Sequence, residues 1–134
     1  MRGSFGGVIA GMLVAVAAAG TAHAAADRHA PTTHAAGKRV QVVAPGRVTI
    51  RWSGSDRGSG VRSYRVQLAS RPSGSHRRLR YRRLAVTRRR TRTVTVRAGR
   101  TYYVRVLARD RAGNVERSRR ADIVLRVRKP ARLD

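Results

Sequence analysis

Residues 99–114, which read GRTYYVRVLARDRAGN, contain the clearest structural pattern in the chain. Tyr102, Val104 and Val106 recur at every second position, and Arg105 falls between the two valines. This alternation predicts a β-strand with one face in a hydrophobic core. We expect the Tyr102 ring to enter that core and its hydroxyl to hydrogen-bond to backbone near the start of the strand.

A second alternating segment lies upstream, with Ile50 and Trp52 on its apolar side. It ends in a run of glycine and serine at residues 53–60, which predicts a loop. Tyr64 and Val66 follow at period two and predict the next strand.

These segments together resemble a fibronectin type III-like, immunoglobulin-like β-sandwich module of bacterial secreted proteins. The resemblance is carried by WSGSDRGSGV at residues 52–61, SYRV at 63–66 and TYYVRVLARDRAGN at 101–114, and it extends over roughly residues 40–128, most of the mature chain. It implies the fold of that family. It implies little about activity, because such sandwiches serve mainly as spacers or as binders of carbohydrate or protein.

The remaining turn signals divide the chain into short segments of β type. We predict an all-β, seven-stranded antiparallel Greek-key sandwich over residues 39–128, preceded by a signal peptide. The predicted strands are residues 39–43, 47–52, 62–69, 79–86, 92–97, 101–109 and 122–128. The predicted structural core includes Trp52, Tyr64, Tyr102, Val104 and Val106.

The first 24 residues have the organisation of a cleaved export signal. Arg2 is followed by an apolar run from Val8 to Ala19 and by Ala22-His-Ala24, which is a small-x-small cleavage site. The alternative is a membrane anchor, but the run is shorter than the ~20 residues that cross a bilayer. We therefore expect a secreted or cell-envelope-associated protein with no transmembrane span after processing.

Two further segments are predicted to lie outside the sandwich. Residues 25–38 have no periodicity and predict a flexible lead, and residues 129–134 predict a frayed tail.

Positive charge dominates the composition. The chain has 31 Lys and Arg against 6 Asp and Glu, a formal net charge of +25 at pH 7, and only Lys38 and Lys129 are lysines. Codon bias explains a preference for arginine over lysine, but it does not explain the scarcity of carboxylates. Such a field attracts polyanions and anionic surfaces.

Strand parity predicts that many arginines share one face of the sandwich. Arg65 and Arg105 project outward from neighbouring strands, and residues 77–90 supply an adjoining edge. The predicted polyanion-binding residues are Arg65, Arg78, Arg80, Arg82, Arg83, Arg105 and Arg109. The alternative is a solvated charged face whose like charges protect an edge from strand addition.

Arginine binds phosphate, sulfate and carboxylate through a planar fork of N–H donors. We therefore predict a non-enzymatic binding module for an anionic cell-envelope polymer, an acidic polysaccharide or another polyanion. The second hypothesis is a structural spacer or protein-interaction module whose charge is incidental and spread over both sheets. No zinc-finger spacing, phosphate loop or base-stacking aromatic pair predicts specific nucleic-acid recognition.

One pair of loops carries oxygen side chains that could bind a metal ion. Asp56 and Asp110, with Asn114, follow two strands whose loops lie at the same end, so their oxygens could converge on Ca²⁺. Turn residues of this kind usually hydrogen-bond to their own backbone, and Arg57 and Arg111 oppose a cation. We predict no metal and no cofactor, and favour a salt bridge from one aspartate to a neighbouring arginine.

The titratable residues do not form a recognisable catalytic set. His23 lies in the predicted signal, His29 and His34 lie in the lead, and His76 lies in a polar turn. None has an evident acidic and nucleophilic partner, so the sequence predicts no enzyme.

Overall fold

The computed structural model describes residues 26–130. The predicted signal peptide and the last four residues of the chain lie outside the described residues. Within the described range, the structure contains no helix long and apolar enough to cross a membrane.

Alternating apolar residues and glycine-rich turns produce eight β-strands in the described part of the chain. They are β1 (Thr32–Ala35), β2 (Val40–Val43), β3 (Gly46–Ser55), β4 (Val61–Pro72), β5 (Arg82–Thr87), β6 (Thr91–Val96), β7 (Arg100–Asp110) and β8 (Ile123–Val127).

The strands form two sheets, as the all-β sandwich prediction requires. One sheet has the order β1-β3-β6, and the other has the order β2-β8-β7-β4-β5. β4 and β7, the strands predicted to be neighbours, pair antiparallel along most of their length. β3 and β4, consecutive in the chain, lie in different sheets, so the Gly/Ser loop at 56–60 crosses between the layers.

The core lies between the two sheets and is almost entirely apolar. Trp52, Tyr64 and Tyr102 are at most 7% exposed, and Val104 and Val106 are fully buried. The Trp52 and Tyr64 rings meet edge to face, with their centroids 5.9 Å apart.

Tyr102 also fixes the turn before its own strand. Its hydroxyl accepts a hydrogen bond from the backbone N–H of Arg97 at 2.9 Å, which ties the end of β6 to the start of β7. A tyrosine near the start of this strand commonly makes such a bond in sandwiches of the immunoglobulin type.

The structure corrects three details of the sequence prediction. Residues 32–35 form β1, where the sequence pattern predicts a flexible lead, so the described sandwich has eight strands rather than seven. β2 pairs parallel with β8, so the larger sheet is not wholly antiparallel. Residues 75–81 are irregular, and the edge strand β5 begins only at Arg82.

A side chain from the other end of the chain holds β1 in place. Glu116 accepts hydrogen bonds from the Thr33 N–H at 3.0 Å and from the Thr33 hydroxyl at 2.7 Å. The same carboxylate accepts the Ala108 N–H at 3.1 Å, so it joins β1 to β7 across the sandwich. This contact explains why an unpatterned segment becomes a strand.

The first prediction concerns the core. Trp52→Ala removes the largest fully buried side chain and should lower the free energy of unfolding by roughly 3–5 kcal/mol, because it leaves a cavity. Trp52→Phe should cost less, since the indole Nε1 is buried without a hydrogen-bond partner. Denaturant unfolding measures both changes.

The neighbouring exposed residue provides the matched control. Arg51→Ala should change the free energy of unfolding by no more than about 0.5 kcal/mol, because its side chain faces solvent. A Trp52→Ala protein that melts within a few degrees of wild type would contradict this description of the core.

Candidate anion-binding surface

The outward face of the larger sheet carries rows of arginine and polar side chains across β5, β4 and β7. Directly paired residues of antiparallel strands share a face, so Arg83, Gln67 and Arg105 form one row. Arg65 and Arg109 lie in further rows toward the other end of β4. Four of the predicted binding residues are therefore together on this face.

Arg105 is held by its neighbours rather than projecting freely into solvent. Its Nε donates to Oε1 of Gln67 at 2.7 Å, and Nη1 donates to the carbonyl of Ser118 at 3.4 Å. Its guanidinium also lies over the ring of Tyr81, 4.1 Å from the centroid. Arg105 is thus half-buried and organises the surface, whereas Arg65, Arg83 and Arg109 are exposed.

Arg78 and Arg80 lie beside a cleft of about 760 Å³ at one end of the same sheet. Arg71 helps to shape this region, because Nη1 donates to the carbonyl of Arg77 at 2.7 Å and Nη2 to the Tyr103 hydroxyl at 3.1 Å. The cleft is lined by Ser70, Arg71, Pro72, Arg77, Arg78, Leu79, Arg80 and Arg100. The cleft concentrates guanidinium groups at the margin of the outward sheet face that carries Arg65, Arg83, Arg105 and Arg109.

Arg82 departs from the predicted arrangement. It pairs with Leu68, whose side chain faces the core, so Arg82 points to the opposite side of the sheet from Arg83. A bulge between Val66 and Gln67 adjusts the β4–β5 register at this point. Because β5 is an edge strand, the Arg82 side chain is still exposed to solvent. It is not, however, part of the rows of arginine on the outward face of the sheet.

The smaller sheet has a different surface. Its outward row contains Arg47 and Arg51 on β3, opposite Thr95 and Thr91 on β6. On the larger sheet, by contrast, the outward arginines Arg65, Arg83, Arg105 and Arg109 lie on three neighbouring strands.

One family model matches the chain, that of the fibronectin type III domain, over residues 30–124. The chain belongs to the fibronectin type III domain family. No curated protein and no solved structure matches it. Membership supports a binding or structural module, and this fold is generally non-catalytic.

The carboxylates of this fibronectin type III domain do not neutralise its arginines. Within residues 26–130, no Arg or Lys nitrogen lies within 4.0 Å of a carboxylate oxygen; the one ionic contact joins His29 to Asp27. The predicted salt bridge from Asp56 or Asp110 to an arginine does not form among these residues. The carboxylates instead accept hydrogen bonds from backbone N–H groups.

Asp56 and Asp110 do come together at one end of the domain, as the loop positions predict. Asp27 joins them from the segment before β1, and one oxygen from each of the three lies within 4.8 Å of the others. Sequence reasoning missed Asp27 because nothing near it in the chain signals a contact with loops more than 25 residues away.

Burial raises the pKa of two groups, Asp122 and Tyr81. Desolvation raises the pKa of Asp122 to about 6, although its carboxylate accepts the Val106 N–H at 2.7 Å. Nearby Glu116 raises this pKa further, while His34 and Arg39 oppose the shift. Burial also raises the pKa of Tyr81, which stays neutral under Arg105.

The second prediction is a pH dependence of stability. The folded-state pKa of Asp122 exceeds its unfolded value of 3.8, so its contribution to stability is present below about pH 4 and is lost as pH rises through about 6. Asp122→Asn keeps an oxygen acceptor for Val106 but does not titrate. The free energy of unfolding of the variant minus that of wild type should therefore increase between about pH 4 and 6 and then level off.

Denaturant unfolding of both proteins at unit pH intervals measures this difference. A difference that is constant between pH 4 and 7 would contradict the raised pKa.

Proposed function

We propose that this fibronectin type III domain is an exported, non-enzymatic binding module for an anionic polymer of the cell envelope or its surroundings. The arginine face binds the polymer, and we define this face as exposed Arg65, Arg83 and Arg109, half-buried Arg105, and the cleft that includes Arg78 and Arg80.

The observation that carries the proposal is the lack of carboxylate partners for these arginines. On β4, β5 and β7 the only acidic residue is Asp110, which is fully buried. No guanidinium in residues 26–130 is within 4.0 Å of a carboxylate oxygen. The N–H donors of Arg65, Arg83 and Arg109 therefore face solvent and can pair with an external anion.

The shape of the surface favours a polymer over a small ligand. The exposed arginines are spaced along neighbouring strands, and the cleft of about 760 Å³ continues the basic surface at one end. Arginine pairs with phosphate, sulfate or carboxylate in two-pronged geometry, so a teichoic-type polymer or an acidic polysaccharide suits this spacing. Another protein with an acidic surface is the alternative partner.

The opposite outward face supplies a natural comparison. Arg47 and Arg51 on β3 face outward there and alternate with Thr49, and exposed Arg97 directly follows β6. If the charge of the domain is incidental, both sheets should bind a polyanion equally well. If the arginine face is specific, the larger sheet should dominate.

The third prediction tests the arginine face by ionic strength. Retention on heparin, teichoic acid and DNA should weaken steeply with salt, because each neutralised phosphate or sulfate releases counterions. Changing Arg65, Arg83 and Arg109 together to Gln should lower the slope of log K against log salt by about one per arginine that contacts the anion.

The control variant changes Arg47, Arg51 and Arg97 to Gln and removes the same formal charge from the smaller sheet and the turn that follows β6. It should bind far better than the first variant, while neither variant loses thermal stability, since both relieve self-repulsion. Equal loss of binding in the two variants would refute a specific face and favour the spacer or protein-interaction function.

The fourth prediction concerns export. Cleavage after Ala24 should give a mature protein that begins at Ala25 or within a residue or two of it, because Ala22-His-Ala24 has the small-x-small pattern. Intact-mass measurement of secreted material checks this. Residues 1–24 retained on membrane-bound protein would replace export with anchoring and leave the binding proposal to be tested separately.

A further inference from the structure

Three carboxylates from distant parts of the chain meet at one end of the sandwich. Asp27 precedes β1, Asp56 lies in the β3–β4 loop, and Asp110 ends β7. One oxygen from each lies within 4.8 Å of the other two. We call this group the aspartate cluster.

Backbone and hydroxyl donors hold each carboxylate in position. Asp27 accepts the Ser59 N–H at 2.9 Å and the Ser59 hydroxyl at 2.8 Å. Asp56 Oδ2 accepts the Gly60 N–H at 2.8 Å, and Asp110 Oδ1 accepts the Asn114 N–H at 2.8 Å. The cluster is thus built before any ligand arrives.

Hydrogen bonds also join the loops that carry the cluster. The Arg111 N–H donates to the Gly60 carbonyl at 3.0 Å, and the Asn114 Nδ2 donates to the Asp27 carbonyl at 2.8 Å. Gly58 is needed for this approach, because a Cβ at residue 58 would collide with the Asp27 carboxylate.

Part of the cluster lacks the partner that its burial demands. Oδ1 of Asp56 is buried and has no hydrogen-bond partner among the described residues. Asp110 is fully buried, and the Asp27 side chain is only 9% exposed. Buried carboxylates are costly unless they are paired or bind a metal, and no Arg or Lys nitrogen within residues 26–130 approaches to 4.0 Å.

Calcium fits this group of ligands better than magnesium does. Ca²⁺ binds oxygen at ~2.3–2.6 Å and tolerates irregular geometry, so two of its ligands are separated by up to about 5 Å. Mg²⁺ requires ~2.0–2.1 Å and near-octahedral order, and it gives up its waters reluctantly. Three carboxylates from three separate segments of the chain, with water completing the coordination shell, suit the ion that takes more ligands and tolerates less regular geometry.

The positive charge of the protein does not prevent this binding. Arg57, Arg109 and Arg111 are exposed, and at physiological ionic strength charges in solvent are screened over about 8 Å. Carboxylates within 4.8 Å of one another and sheltered from solvent are screened much less. The charge of the three carboxylates therefore outweighs that of the surrounding arginines in the binding of a cation at the cluster.

We infer that Asp27, Asp56 and Asp110 form a calcium-binding site that joins the N-terminal segment to the β3–β4 and β7–β8 loops. This site is separate from the arginine face, so its test does not depend on polyanion binding.

The fifth prediction is that calcium binds to and stabilises the protein. Chelator-treated protein beginning at Ala25 should bind Ca²⁺ in calorimetric titration at 0.15 M NaCl with a dissociation constant of about 10⁻⁴–10⁻³ M, as in extracellular modules. Millimolar Ca²⁺ should raise the Tm by several degrees, because it binds only the folded state. Mg²⁺ at the same concentration should raise it far less.

Two variants locate the site. Asp27→Asn removes a ligand charge from a segment outside the strands, so the sandwich should fold, and calcium affinity should fall at least about tenfold. Gly58→Ala keeps every charge but displaces the Asp27 carboxylate, and it should also weaken binding. Asp122→Asn, which changes a carboxylate outside the cluster, should retain wild-type affinity.

Several outcomes would overturn the inference. They are the absence of calcium binding by the wild-type protein, an equal response to Mg²⁺, and unchanged calcium affinity in Asp27→Asn. Loss of affinity in Asp122→Asn equal to that in Asp27→Asn would also overturn it, because calcium would then be responding to overall charge.

Discussion

The hydrogen bond from a backbone N–H to a side-chain carboxylate is the interaction on which the irregular parts of this domain depend. Every carboxylate in residues 26–130 makes at least one. The donors are His29 and Ser59 for Asp27, Gly58 and Gly60 for Asp56, Asn114 for Asp110, Thr33 and Ala108 for Glu116, and Val106 for Asp122. Charge-assisted bonds of this kind are about twice as strong as neutral ones.

This use of the acidic residues separates the two kinds of charge in the domain. The few carboxylates are turned toward backbone at loops and strand margins, while the arginines of residues 26–130 have no carboxylate oxygen within 4.0 Å. A protein of net charge +25 thereby keeps its positive field available to the outside. The stability of the loops and the proposed binding surface therefore both depend on the carboxylates bonding to backbone instead of to arginine.

Local patterns predict the parts of the structure that depend on neighbouring residues. Period-two alternation places Trp52, Tyr102 and Val106 in the core, and paired outward positions bring Arg65 and Arg109 to one face. β1 could not be read in this way, because it is held by Glu116, 83 residues from Thr33. Long-range contacts of this type leave no periodic trace in the chain.

The candidate sites show the same limit. Parity puts Arg105 on the outward face, but only the path of residues 75–81 brings Tyr81 over its guanidinium. The loop positions place Asp56 beside Asp110, yet Asp27 reaches them through contacts with Ser59 and Asn114. Predicting these features requires the route of irregular segments, which depends on tertiary packing.

The parallel pairing of β2 with β8 also determines how the domain bears mechanical load. These strands lie near opposite ends of the chain and run in the same direction. Tension that reaches β2 from its N-terminal end and β8 from its C-terminal end pulls the two strands past each other along their length. Their backbone hydrogen bonds are then loaded together in shear instead of opening one after another, so this pairing resists extension along the strands.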